Sequence, residues 1–307
     1  MRLRTVGAVL GALLLVLAAA VGGLYLFVDW RIEDSYYSSY HYDVSLSTNE
    51  TLENVTLYLP VPMENGTPLV ANATLAADEP YPWLETRVNA THAASVVDTE
   101  QGPMLAVEAA ELIAPERYAV HYFDEDGNLE RWEVVDAENR PAASSTVRVR
   151  PFPTTYELSV SLTVDERIDT RDPVANAATL SPRGAAEAVA CEGPSVSDVE
   201  RCFAVRSLVY AEYEASDAAV VDLRVEFSGW NEYGFGLYNS YNEYDERFGA
   251  AYRGGQDGWL PLDGERRTGV GNYRDGSLFG SSETTNAART RLFVTPAPTG
   301  EPCAPRS

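Results

Sequence analysis

Residues Val6 to Val28 form an unbroken run of 23 uncharged, almost wholly apolar side chains. Inside a bilayer no water is available to bond the backbone, so a run like this is confined to a helix. At 1.5 Å per residue it would span roughly 34 Å, enough for a hydrocarbon core of about 30 Å. The lipid bilayer is therefore the first expected partner, through residues 6–28. Arg2 and Arg4 precede the run, and the mixed-charge stretch Asp29-Trp30-Arg31-Ile32-Glu33-Asp34 comes after it. That arginine excess predicts a single-pass protein of the cell membrane, with a cytoplasmic N-terminus and an extracellular remainder. Tyr25 and Trp30 suit the outer interface. A signal peptide cleaved near Ala18-Ala19-Ala20 is the rival reading. Signal h-regions run about 7–15 residues, whereas this apolar run continues past that site, so an uncleaved signal anchor is expected. Gly7-x-x-x-Gly11 has the spacing of a helix-pairing face, which admits a homo-oligomer, although small residues are common in such helices.

Five asparagines, Asn49, Asn54, Asn65, Asn72 and Asn89, each head an Asn-x-Ser/Thr triplet with no proline between. All five fall within 41 residues and no other asparagine qualifies. The cluster predicts a glycosylated outer surface in the first half of the ectodomain. The plainer alternative is a stretch that is merely rich in Asn and Thr.

The chain carries 46 acidic residues against 23 basic ones, all 23 arginine, for a formal charge of −23. So acidic a surface excludes nucleic acid as a partner, because phosphates demand a basic face. Without Arg2 and Arg4, 21 arginines stand against all 46 acids, a net charge of −25 outside the membrane. The acids are dispersed rather than blocked, which fits a solvated, salt-adapted surface better than a cation-binding one. In its anchor, its sequons, its acidity and its lack of lysine, the chain resembles the acidic, envelope-anchored proteins of haloarchaea. That resemblance is one of style, implies an extracellular β-rich protein, and carries over no site residue.

Period-two alternation, the signature of strands, dominates the chain beyond the anchor. Tyr40, Tyr42, Val44 and Leu46 share one face, as do Val55, Leu57, Leu59 and Val61. Residues 63–103 are looser, with Trp83 as a candidate buried anchor. Asp124-Glu125-Asp126-Gly127-Asn128 between alternating runs predicts a hairpin of Arg117–Phe123 with Leu129–Val135. The early glycine and the missing helices weigh against reading it as a calcium loop. A second hairpin is expected of Val205–Glu214 with Val220–Phe227, and a strand over Tyr156–Val164. Ser181-Pro182 reads as an N-cap followed by proline, opening a short helix to about Ala190. Arg291–Thr295 is a last candidate strand.

The expected fold is all-β, an antiparallel β-sandwich ectodomain, one large or two in series, after a single N-terminal transmembrane helix. The divisions are a stub and anchor over 1–31, a first β module over 32–152, a second over 153–295, and a disordered, proline-rich tail over 296–307. The echo of Val44-Ser45-Leu46 in Val160-Ser161-Leu162 suggests that the two modules are related.

Chemistry-bearing motifs are sparse. Cys191 and Cys202 are expected to form a disulfide, which leaves Cys303 to pair between chains or stay free. His41, His92 and His121 have no metal-binding spacing, and no metal or cofactor is expected. No nucleophile elbow or phosphate-binding glycine loop is present, so no catalytic residue is assigned. The densest unusual composition runs from Glu226 to Trp259, where Asn-Glu-Tyr occurs twice. Rings that stack on sugars and amides or carboxylates that take hydroxyls are the chemistry of glycan recognition. Trp230, Glu232, Tyr233, Tyr241, Glu243 and Tyr244 are therefore the candidate ligand or partner surface, set against ordinary sheet packing. The expected function is a binding or scaffolding β domain that holds an envelope glycan or protein. An anchored hydrolase of surface glycans using acids between Glu226 and Glu246, a purely structural envelope component, and a subunit of a larger membrane complex are the alternatives.

Overall fold

The computed structural model describes residues 2–70, 92–191, 200–236 and 238–273. They open with a 32-residue helix, α1 (Arg2–Glu33). Leu13–Glu33 of this helix is long and apolar enough to cross a membrane, and its most apolar stretch is not covered by the rest of the chain. Three residues later begins β1 (Tyr37–Thr48), then β2 (Leu52–Leu59), β3 (Val61–Glu64), β4 (Thr67–Pro68), β5 (His92–Thr99) and β6 (Gly102–Leu112). Next come β7 (Arg117–Phe123), β8 (Leu129–Asp136), β9 (Val147–Pro151) and β10 (Thr154–Val164). The remainder is β11 (Thr179–Ser181), β12 (Glu187–Val189), β13 (Arg201–Glu214), β14 (Val220–Phe235), β15 (Tyr238–Arg253) and β16 (Gln256–Gly271).

The fold is antiparallel β, as the alternation predicts. Its body is one curled sheet in the order β10-β1-β14-β15-β16-β13-β2-β6-β5, with β12 also on β13. Val221, Leu223, Val225 and Phe227 of β14 point inward, and Tyr40, Tyr42, Val44 and Leu46 of β1 meet them in the core. The curl brings the two ends of the strand order toward each other. Val44 and Leu46 on β1, Leu57 on β2, Leu112 on β6 and Leu158 on β10 line one apolar cavity of about 50 Å³. The Tyr156 hydroxyl at the start of β10 donates to the Ile113 carbonyl just past β6 over 2.6 Å. A small sheet, β11-β3-β4, packs on the inner face, where the Tyr42 hydroxyl donates to Pro60 and the Tyr244 hydroxyl to Ala178. A third sheet, β8-β7-β9, stands apart from this core.

The hairpin of β7 and β8 forms around Asp124-Glu125-Asp126-Gly127-Asn128, as expected. The Asp124 carboxylate accepts the Asp126 and Asn128 backbone N–H groups and the Asn128 side chain.

Three expectations are corrected. Val205–Glu214 and Val220–Phe227 do not pair: β13 lies on β16 and β2, whereas β14 lies on β1 and β15. The 215–219 loop instead arches over the turn between β15 and β16, where the Gly254 N–H donates to the Ala219 carbonyl. Gly254 has φ +67, and a Cβ on Gly255 would sit 3.0 Å from the Tyr213 carbonyl, so this crossing requires glycines beneath it. Residues 181–190 contain no helix. The Ser207 hydroxyl and the Arg206 carbonyl hold Pro182 and Gly184 extended along β13, and Glu187–Val189 then pairs with Cys202–Ala204. Finally, β1 from the first half of the chain pairs with β10 and β14 from the second, so the boundary near residue 152 does not divide the sheet. Trp83, Asn72, Asn89, Cys303, the 291–295 strand and the 296–307 tail lie outside the described residues.

The strands have a common polarity relative to the helix. β1 starts beside α1 and runs away from it, and its neighbours β10 and β14 return, which gives the domain a helix-proximal and a helix-distal end. Twelve residues of β1 separate the ends by roughly 40 Å. At the proximal end Ile32 is buried, and the Gly234 N–H donates to the Ser35 hydroxyl over 2.9 Å.

Candidate functional site

The hairpin of β14 and β15 carries all six residues of the candidate surface, and its pairing sorts them onto two faces. Trp230 stands opposite Glu243, and Glu232 opposite Tyr241. These four point off the outer face of the sheet. With Asn239 and Ser240 they line an open depression of about 390 Å³ near the helix-proximal end. Tyr233 and Tyr244 alternate with them and so point inward. Both are buried, at 1% and 0% exposure, and are core residues rather than surface contacts.

Chemically the depression is an aromatic wall beside two carboxylates. Tyr241 is 41% exposed, whereas Trp230 is half-buried between neighbouring rings. The Tyr37 ring meets it edge-on at 6.3 Å and the His41 ring lies 6.1 Å away. The Trp230 indole N–H has no acceptor among the described residues. The Asn239 amide donates to the Glu232 carboxylate over 2.6 Å, which fixes that carboxylate toward the hairpin tip. Tyr37 and His41 were missed by composition alone, because only strand pairing places β1 beside the hairpin.

The repeated Asn-Glu-Tyr has a structural explanation. Asn231 and Asn242 are direct cross-strand partners, so the repeat places Asn against Asn, the glutamates outside and the tyrosines inside. Both asparagines are buried under the 165–172 segment. The Asn231 amide donates to the Ile168 carbonyl and accepts its N–H, and Thr170 donates to Asn242.

A second buried polar cluster lies deeper along β15. Glu246 and Arg266 form an ion pair with both side chains almost fully buried. Leu180 donates its backbone N–H to the Glu246 carboxylate over 2.6 Å. Burial pushes the Glu246 carboxyl above the ordinary range, with Arg266 and that N–H opposing the shift. Burial likewise raises the Tyr244 hydroxyl well above its usual value. Both side chains are closed off from solvent, so the pair reads as interior scaffolding rather than a reaction centre.

The remaining candidates fall elsewhere. Cys191 and Cys202 are joined as a disulfide. Glu200 lies close enough to both sulfurs to complete a metal-ligating trio, but the sulfurs are bonded to each other and Glu200 pairs with Arg267. Asn54 and Asn65 are exposed. Asn49 instead works inside a turn: its carbonyl oxygen accepts the Val220 N–H over 2.7 Å and its amide reaches the Ala218 carbonyl. His41 lies beside Trp230, His121 on β7, and His92 opens β5. Comparison with protein-family models, with curated proteins and with solved structures yields no match.

Proposed function

We propose that this chain is a single-pass envelope protein, N-terminus inside, whose β domain binds a hydroxyl-rich ligand such as a glycan outside the membrane. The observation that carries the reading is the depression formed by Trp230, Glu232, Tyr241 and Glu243. A ring wall supplies a stacking surface, and two carboxylates with an amide supply acceptors and a donor for hydroxyls. The orientation rests on Arg2 and Arg4 on one side of the apolar helix and a strongly acidic domain on the other. The dispersed acids and the absence of lysine support a surface kept soluble in concentrated salt.

Binding is favoured over hydrolysis by the placement of the carboxylates. Glu232 and Glu243 are diagonal neighbours on one hairpin, with backbones roughly 7–8 Å apart, and leave the same face. A glycosidase needs its two carboxyl groups to flank the scissile bond. Here a sugar can lie over both acids but not between them.

The test is retention of envelope glycans by the full chain reconstituted in nanodiscs in multimolar salt, beside Trp230→Ala and Tyr241→Ala variants checked for folding. Retention by the native protein and loss in both variants is the expected result. Equal retention by all three would remove the depression as the site. Orientation is tested separately: protease added to intact cells should leave a membrane-bound N-terminal stub, and full protection would reverse the topology.

A further inference from the structure

The helix-distal end carries a surface of the opposite character. In the sheet β8-β7-β9, the connection 137–146 must cross β7 to pass from β8 to β9. It crosses one face, where the Arg140 guanidinium lies over the Tyr118 ring at 4.2 Å. The other face is left open. Register places Ala119 beside Val134 and Arg150, and His121 beside Trp132 and Arg148. Trp132 is 57% exposed and its ring stacks on His121 at 6.3 Å. Arg148 and Arg150 are both exposed, and among the described residues neither has a carboxylate within salt-bridge distance. Asp136 closes one end of the face and Glu130 the other. In a chain with twice as many acids as bases, two neighbouring arginines without a carboxylate partner beside an exposed indole are a local concentration of positive charge, and the Arg148 guanidinium is steadied over the Phe123 ring at 4.5 Å.

We infer that this open face is a binding site for an anionic polysaccharide, one bearing carboxylates or sulfates. Guanidinium forks match the planar oxygens of either group, and the two arginines stand two residues apart on one strand, about 7 Å, ready for successive anions. Trp132, buttressed by His121, gives a flat platform for a sugar ring, and stacking persists where salt screens charge. Size decides against a protein partner. Three strands of this length present roughly 300 Å², against the about 800 Å² per partner that a stable protein interface covers. Distance decides against the chain's own bilayer, since the sheet emerges at the far end of β6 and β10, roughly 40 Å from α1. This site is separate from the helix-proximal depression and does not depend on it.

The experiment uses the full chain in nanodiscs of uncharged lipid, at the lowest salt where every variant keeps the native far-UV spectrum. Probes are an oligouronate, a sulfated dextran oligomer and neutral dextran. The wild type should bind one or both anionic probes and not the neutral one. Arg148→Ala with Arg150→Ala should weaken that binding by tenfold or more, and Trp132→Ala by about fivefold. Arg201→Ala with Arg253→Ala, which removes an equal charge from two exposed positions elsewhere, should change it by less than twofold. Loss in that control equal to that in the Arg148/Arg150 double variant would reduce the effect to net charge and overturn the site. So would failure of the folded wild type to bind either anionic probe, or capture of an acidic protein in place of both.

Discussion

The side-chain amide of Asn231 donates to the carbonyl oxygen of Asn242 over 2.8 Å, and the two residues face each other directly across β14 and β15. Asn231 uses all its bonding capacity: two N–H groups to Asn242 and Ile168, and two lone pairs for Ser38 and the Ile168 N–H. The pair is therefore a clamp that fastens 165–172 to the sheet.

Asn231→Ala should cost at least about 3 kcal/mol, since each buried group left unpaired costs ~1–3 kcal/mol. Glu232→Ala, one residue away on the outer face, should stay within about 0.5 kcal/mol. Urea denaturation midpoints of the two variants separate a clamp residue from a surface one, and equal midpoints would deny the clamp.

Tyr241 and Tyr244 make the same contrast between surface and core. Tyr244→Ala empties a fully buried site and should lose about 3–5 kcal/mol, whereas Tyr241→Ala should leave stability within about 0.5 kcal/mol. Thermal melts of both variants check this; a large loss in Tyr241→Ala would mean that its ring is structural.

Gly229 sits where two tyrosines converge. A Cβ there would lie 2.5 Å from the Tyr244 ring and 2.9 Å from the Tyr40 ring. Both rings are buried and cannot withdraw, so Gly229→Ala should destabilise by about 1–3 kcal/mol despite a better strand propensity. A neutral or raised melting temperature would contradict this packing.

The buried Glu246 predicts a pH dependence of definite sign. Its folded pKa is raised above the unfolded value, chiefly by burial. Its contribution is therefore fully present below the unfolded pKa, about 4.3, and is lost as pH rises through the folded pKa. Relative to Glu246→Gln, which cannot titrate but keeps an acceptor for the Leu180 N–H, the wild type should lose stability on passing upward through that window. Denaturation of both proteins from acid to neutral pH measures the difference. A difference that grows with pH would reverse the assignment.

Much of the fold was legible because it is local. The alternation grouped the buried residues of β1 and β2 on single faces correctly, and Asp-Gly marked the β7–β8 hairpin. Strand partnership was not legible. Ala215–Ala219 is short enough for a hairpin loop, and only the whole sheet reveals that it crosses the β15–β16 turn instead. Ser181-Pro182 mimics a helix start, yet the backbone bonds offered by β13 outweigh that local signal. In the candidate site, composition picked residues that fall on one hairpin but could not assign their faces. One step of register sends Glu232 outward and Tyr233 inward, and that step is fixed by the Asn231–Asn242 pairing.

Only Asp34, Ser35 and Tyr36 join α1 to β1, and none is slack. The Asp34 N–H donates back to Trp30, Ser35 bonds both Ile32 and Gly234, and Tyr36 stacks on Tyr233 at 4.6 Å. Helix and sheet are thus coupled as a lever, without a swivel. A turn of the helix about its axis reaches the domain as torque, and a pull on the far end reaches the helix as tension, with no tether to unwind and absorb either.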